Sequence, residues 1–296
     1  MSRIRPILLG LSLALAGGAI AAAQDAVPPN IIQIQREWIK PGKAGMAHDR
    51  SEAAFVAAMN KGKLQGHYVA LNSMSGKSRA LYIARYPSFE AWENDNQTID
   101  KNAGLAADMD RAMMTDGDLL EGTDSAVLSY DKELSYHPHP DLSHARYYEL
   151  TSFHVRPGHE ADWHKVVKMY QDACDKASNG AHWGMYQLMF GGESGTYVAL
   201  SHRESLKEID QIMAQGKKFV EAMGGEEAMQ KFDELYGQAV DSSHAELFSI
   251  NPRQSYAEEA WIKADPDFWK PKAKPAEAAT KPAAAKPAAV PAKPGN

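Results

Sequence analysis

Hydrophobic and polar residues alternate over Ile31–Ile39. Ile32 and Ile34 share one side, Gln33, Gln35 and Glu37 the other, and Pro41-Gly42 follows. A two-residue period that ends in such a breaker predicts a strand. The same pattern returns at Tyr147–Val155, where Tyr148 and Leu150 oppose Glu149, Thr151 and Phe153 ahead of Pro157-Gly158. A helical period comes next in each case. Trp163, Val166, Val167, Tyr170, Ala173, Cys174 and Ala177 make one apolar stripe, and Phe55, Val56 and Met59 mark a helix over Ala47–Met59. Apolar runs at 67–71 and 80–84, and at 182–190 and 196–200, flank Gly/Ser-rich turns and predict hairpins. Ser88 and Ser205 are placed to cap further helices, and strands near Ala126–Tyr130 and Ala245–Ile250 close each unit.

The chain therefore states one plan twice, about 116 residues apart. Glu37-Trp38-Ile39-Lys40-Pro41-Gly42 returns as Phe153-His154-Val155-Arg156-Pro157-Gly158, and Gly66-His67-Tyr68 returns as Ala181-His182-Trp183. Leu81-Tyr82-Ile83-Ala84 is matched to Thr196-Tyr197-Val198-Ala199, and Leu128-Ser129-Tyr130 to Phe248-Ser249-Ile250. A fixed period with two copies predicts a duplicated domain. The order β-α-β-β-α-β predicts an α+β fold of two tandem ferredoxin-like repeats, each with one sheet face uncovered by helices. Pairing those faces would form an intramolecular α/β barrel. The boundaries expected are 30–136 for the first repeat, 137–144 for a His/Pro linker, 145–256 for the second repeat and 257–270 for a C-terminal extension.

The duplicated plan and its Val-Arg-Pro-Gly-His turn resemble the dimeric α+β barrel superfamily in fused form, across roughly residues 30–256. Its members include antibiotic-biosynthesis-type monooxygenases, NIPSNAP-like and EthD-like proteins and haem-binding chlorite dismutases. The resemblance implies the fold, and it admits oxidoreductase activity, cofactor-independent or with haem. A histidine would then be the axial ligand.

Composition narrows the setting. Arg3 and Arg5, an apolar run to Ile20 and Ala21-Ala22-Ala23 read as an export signal over residues 1–23. A periplasmic or secreted protein is expected, with no transmembrane segment in the mature chain. From Pro271 the chain is built mainly of Ala, Lys and Pro, the composition of a disordered tail. The net charge is −6 even with that basic tail included, so nucleic acid is excluded as a partner. The single cysteine, Cys174, lies on a helix's apolar stripe and reads as a buried structural thiol.

Candidate ligand-binding residues follow from strand parity. The apolar set is expected to pack against helices, leaving Gln33, Gln35, Glu37, Glu149 and Thr151, with Asn72, Tyr82, Gln187 and Tyr197, to line the barrel interior. Glu37 and Glu149 are the candidates for proton transfer. His67 and His182 form a repeat-equivalent pair beside aromatics. Trp38, His154, His159 and His164 lie where the first strand of each repeat gives way to a helix, and His48 corresponds to Trp163 or His164. No metal set is expected, since no histidine spacing matches a known ligand motif. Three functional classes stay open: a module binding a small molecule or partner, an oxidoreductase, and a structural protein with a filled barrel. A homo-oligomer is a further expectation.

Overall fold

The structure is a computed structural model that describes residues 27–270; the expected export signal and the tail from Pro271 lie outside the described residues. The first repeat runs β1 (Ile31–Ile39), α1 (Met46–Gly62), β2 (Tyr68–Ser73), β3 (Arg79–Tyr86), α2 (Phe89–Lys101), α3 (Ala103–Gly117) and β4 (Leu120–Tyr136). The second runs β5 (Tyr147–Val155), α4 (Glu160–Ala177), β6 (Trp183–Phe190), β7 (Thr196–Arg203), α5 (Lys207–Ala214), α6 (Gly216–Met223), α7 (Glu226–Ala239) and β8 (Val240–Ile250). Two short helices, α8 (Glu259–Ala264) and α9 (Pro266–Trp269), follow. The predicted plan is present in both halves. The stretch before each closing strand is split into two helices in the first repeat and three in the second, and the closing strands are longer than predicted.

Each repeat forms a four-stranded antiparallel sheet, ordered β4-β1-β3-β2 and β8-β5-β7-β6. The β2–β8 and β4–β6 pairings join them into one closed eight-stranded barrel. Local sequence explains the helix starts. Ser88 Oγ accepts the Ala91 N–H at 3.1 Å, and Asn102 Oδ1 accepts that of Leu105 at 3.1 Å. Ser205 does not act as a cap. The α5 start is held by Glu208, whose carboxylate accepts the backbone N–H groups of Glu204 and Ser205.

The expected assignment of the two strand faces is reversed. Ile32, Ile34, Leu71, Leu81, Leu128, Leu150, Leu200 and Phe248 come from both sheets and pack together in one buried cluster inside the barrel. The polar set of β1 and β5 faces outward, under the helices. The physical reason is barrel size: an eight-stranded interior is just wide enough for side chains to fill it. It is therefore the driest site in the molecule and takes the apolar set.

One barrel end is sealed by segments outside the repeats. Trp261 and Trp269 are buried in the barrel cluster. The Arg85 guanidinium lies 5.0 Å from the Trp261 ring centroid, and Trp269 Nε1 donates to the Ser143 carbonyl at 2.8 Å. The His/Pro linker thus packs as part of the closure, with Leu142 and Ser143 buried. The other end opens as a mouth of about 540 Å3, lined by Ile34, Leu81, Arg36, Arg79, His154, His244 and Glu246, with Arg79 paired to Glu246.

Candidate active site between sheet and helices of the first repeat

Because α1, α2 and α3 do not lie flush on the outer face of their sheet, a cavity of about 690 Å3 remains between them. Gln33, Gln35, Glu37 and Tyr82 contribute from the strands. Phe55, Met59, Trp92, Ile99, Met109 and Met113 contribute from the helices. The wall is apolar and aromatic and the strand side is polar, a distribution suited to a small organic ligand.

Four buried ionisable side chains meet at this cavity: Glu37, His48, Glu52 and Asp116. β1 supplies Glu37 from its outward parity. One turn of α1 supplies His48 and Glu52, four residues apart and so on one face. The last turn of α3 supplies Asp116. His48 Nε2 lies 3.2 Å from Glu37 Oε2, 3.6 Å from Asp116 Oδ1 and 3.9 Å from Glu52 Oε1. Its other nitrogen, Nδ1, is 3.1 Å from the Gln254 amide nitrogen, which also donates to Asp49 at 3.0 Å. Neither Glu52 Oε1 nor Asp116 Oδ1 has a hydrogen-bond partner, and the same holds for the Tyr82 hydroxyl.

The electrostatics follow from three carboxyls packed around one imidazole. Burial, then the neighbouring Glu37 and Asp116, raises the Glu52 pKa to about 10. Burial also raises Glu37, with the His48 hydrogen bond opposing it. Among the described residues no lysine or arginine pairs with Glu37, Glu52 or Asp116.

The second repeat holds the matching cavity, about 390 Å3, lined by Glu149, Thr151, Phe153, Trp163, Val167, Tyr170, His182, Trp183, Arg203, Phe232 and Tyr236. Backbone geometry sets the correspondence. Helices α1 and α4 end in the same left-handed cap, at Lys63 (φ 50°) and Ser178 (φ 49°). His48 therefore matches Trp163 instead of His164, and Glu52 matches Val167. Ile39 opposite Leu120 and Val155 opposite Val240 match Glu37 to Phe153 and Asp116 to Tyr236. Every ionisable member of the first cluster is aromatic or aliphatic in the second.

The candidate residues fall into separate places. Gln33, Gln35, Glu37 and Tyr82 do share a cavity, on the outer side of the sheet instead of the barrel interior. Glu149, Thr151 and His182 line the second cavity, where Glu149 Oε1 accepts from Arg203 Nε at 2.7 Å. Tyr82 and Tyr197 are not equivalent: Gln35 lies opposite Tyr82, whereas Thr151 lies opposite Ala199. A two-residue difference in hairpin length produced the apparent match. Tyr197 is buried beside Trp163, Gln187 is exposed and Asn72 is half-buried on β2.

The histidines do not form the expected groups. His67 stacks on Tyr256, with Nδ1 3.2 Å from the Tyr256 carbonyl, and His182 Nε2 is 3.0 Å from the His202 carbonyl. Each holds the backbone at a strand end. His154 and Trp38 take the inward parity toward the barrel mouth, His159 pairs with Asp162, and His164 is exposed on α4. Neither cavity offers haem iron a suitable histidine: the carboxyls of Glu37, Glu52 and Asp116 crowd His48 Nε2 where a porphyrin plane would have to lie, and His182 is engaged by backbone carbonyls and Arg203. The residues of these two cavities do not fit haem. Strand parity marked Glu37, and His48 stood out only through its match to Trp163 or His164. Glu52 and Asp116 escaped sequence reasoning, because three elements bring the cluster together and their counterparts are fixed only by the helix caps and strand register.

No family model and no curated protein matches the chain. Solved structures do. A monooxygenase-like protein of Fusobacterium nucleatum subsp. nucleatum is 12% identical, with a TM-score of 0.52 over 76% of this chain and 94% of that one. An anthrone oxidase-like protein is 11% identical, with a TM-score of 0.50 over 77% and 94%. Chlorite dismutase from Candidatus Nitrospira defluvii aligns at 9% identity and a TM-score of 0.47, over 80% of this chain and 96% of that one. These likenesses are of fold: two ferredoxin-like repeats in tandem, closed here into one eight-stranded barrel.

Proposed function

We propose that this chain is an exported oxidoreductase that binds a small organic molecule in the first-repeat cavity and oxidises it beside Glu37, His48, Glu52 and Asp116. The observation that carries this reading is the contrast between the repeats. Phe153, Trp163, Val167 and Tyr236 fill the matched positions of the second repeat, so the scaffold does not need charge there. Burying three carboxyls is costly, and a cost the fold can avoid points to function. The oxidoreductase class is supported by the names of the monooxygenase-like and anthrone oxidase-like structures, and export by the signal-like N-terminus.

The lining defines the substrate class: an aromatic or apolar body to lie against Trp92, Phe55 and the methionines, with polar groups directed to Gln33, Gln35 and Tyr82. Two-electron oxidation of an alcohol- or hydroquinone-like group by dioxygen, RH2 + O2 → R + H2O2, breaks two X–H bonds and delivers both electrons and both protons to the peroxide. Glu37 stands at the strand side of the cavity, where it can take the first of those protons and pass it on to the reduced oxygen.

The test is mass spectrometry of small molecules released from natively purified protein, followed by rebinding of the identified compound. Ala84 lines the first cavity and Ala199 the second. Ala84→Phe should abolish retention and rebinding, and Ala199→Phe should leave both unchanged, with circular dichroism verifying that each variant is folded. Loss that follows Ala199→Phe, or no ligand retained by any form, contradicts this reading.

A further inference from the structure

The first-repeat cluster has the dimensions of a coordination sphere. Ligand atoms held at about 2.1 Å are about 3.4 Å from one another around a tetrahedral ion, and about 3.0 Å (cis) or about 4.2 Å (trans) around a six-coordinate one. The three distances from His48 Nε2, at 3.2, 3.6 and 3.9 Å, fall within that span. One ligand atom from each of the four residues lies within 4.8 Å of every other.

A second observation is independent of those distances. Of the three carboxyl oxygens around His48 Nε2, two, Glu52 Oε1 and Asp116 Oδ1, lack any hydrogen-bond partner, and both residues are only 3% exposed. Buried acceptors are ordinarily satisfied. Two orphaned carboxyl oxygens aimed at one point, with no lysine or arginine paired to them among the described residues, are the donors that a cation from outside the chain would use.

We propose that Glu37, His48, Glu52 and Asp116 bind one divalent first-row metal ion, Mn2+ or Fe2+, beside the first-repeat cavity. Three oxygens and one imidazole form a hard donor set without thiolate, which suits these ions. Three carboxylates more than neutralise a divalent charge and so favour an ion that can rise to the trivalent state. This deepens the proposed function and rests on its placement of the active site. Loading requires the His48 Nε2 lone pair, hence a proton on Nδ1. The Gln254 amide beside Nδ1 has its own oxygen, Oε1, buried without a partner. A half-turn of that amide would let Oε1 accept the Nδ1–H, the kind of outer contact that orients metal-bound histidines. Asp49 would keep its bond from Asn251 Nδ2, at 2.8 Å.

The experiment strips the full-length exported protein with EDTA and reloads it with Mn2+ alone or, anaerobically, Fe2+ alone. Metal per chain is then measured by inductively coupled plasma mass spectrometry after desalting. One ion per chain is expected for the native protein and for Tyr236→Phe in the second repeat. Glu52→Gln and His48→Ala should each bind at least about tenfold more weakly. Folding is checked by circular dichroism, and Glu52→Gln is retained as the conservative variant should His48→Ala misfold. Retention of neither ion, or undiminished retention in Glu52→Gln, overturns the proposal. Organic ligand is measured on the same samples: ligand without metal overturns only the metal site, whereas metal without ligand overturns only the substrate cavity.

Discussion

His48 Nε2 stands 3.2 Å from Glu37 Oε2, in a place where the second repeat sets Trp163 against Phe153 with ring centroids 4.9 Å apart. One backbone plan thus carries a hydrogen-bonded histidine–glutamate pair in one copy and a tilted aromatic pair in the other. The aromatic copy needs no compensation from outside. The polar copy concentrates three acids around a single base.

The first prediction follows from that imbalance. Glu52→Met, which resembles its counterpart Val167 in polarity, should stabilise the metal-free protein by about 1–3 kcal/mol, because it removes a buried carboxyl lacking adequate partners. Urea unfolding in EDTA measures the change. A loss of stability would show that Glu52 serves the fold.

Acid sensitivity should trace to the histidine group under the linker. His202 is held down to a pKa of about 3, first by burial and then by His182, His139 and Arg203, with only Asp141 opposing. Tyr148 also packs beside it, 6.3 Å between ring centroids. A folded-state pKa below the unfolded value of about 6.5 means that the unfolded chain binds the extra proton. Stability is complete above pH 6.5 and falls as the pH drops toward 3, by up to about 1.4 kcal/mol per unit. His202→Gln should flatten that slope in urea titrations between pH 4 and 6.5. An unchanged slope would exclude His202 as its source.

Cys174 should behave as a core atom. Burial raises its thiol to about 11 despite a hydrogen bond from Asn179, so at pH 8 it remains protonated and inaccessible. Iodoacetamide should label it only after unfolding, at a rate set by denaturant. Rapid labelling of the native protein would contradict this placement.

The seal at the barrel end predicts a large effect from a residue outside both repeats. Trp261 is 2% exposed within the barrel cluster and carries the Arg85 cation–π contact. Trp261→Ala should cost roughly 3–5 kcal/mol, the range for emptying a core of an aromatic. A change under 1 kcal/mol in chemical unfolding would show that the C-terminal helices are loosely attached.

The duplication, the strand and helix order and the tandem barrel were legible because a period of two and a period of 3.6 survive in both copies. Trp163 and Cys174 on the stripe of α4 carried that signal clearly. The side of the sheet that each set faces was not legible: Ile32/Ile34 and Gln33/Gln35 alternate identically whichever way the sheet turns. Closure of the barrel decides it. The buried cluster was half legible. Glu37 stood out by parity, but its neighbours His48, Glu52 and Asp116 depend on how α1 and the end of α3 cross the sheet. The Tyr82–Tyr197 match misled because a hairpin can gain two residues while preserving the inward and outward pattern. Trp261 gave no sign in sequence that it would enter the barrel.

The most direct measurement is anomalous X-ray scattering from crystals of the Mn2+-loaded protein, recorded on both sides of the manganese edge. One peak among Glu37, His48, Glu52 and Asp116, with nothing at Phe153, Trp163, Val167 and Tyr236, is the predicted result. Absence of a peak among the first four in protein that is otherwise ordered there would contradict the central claim.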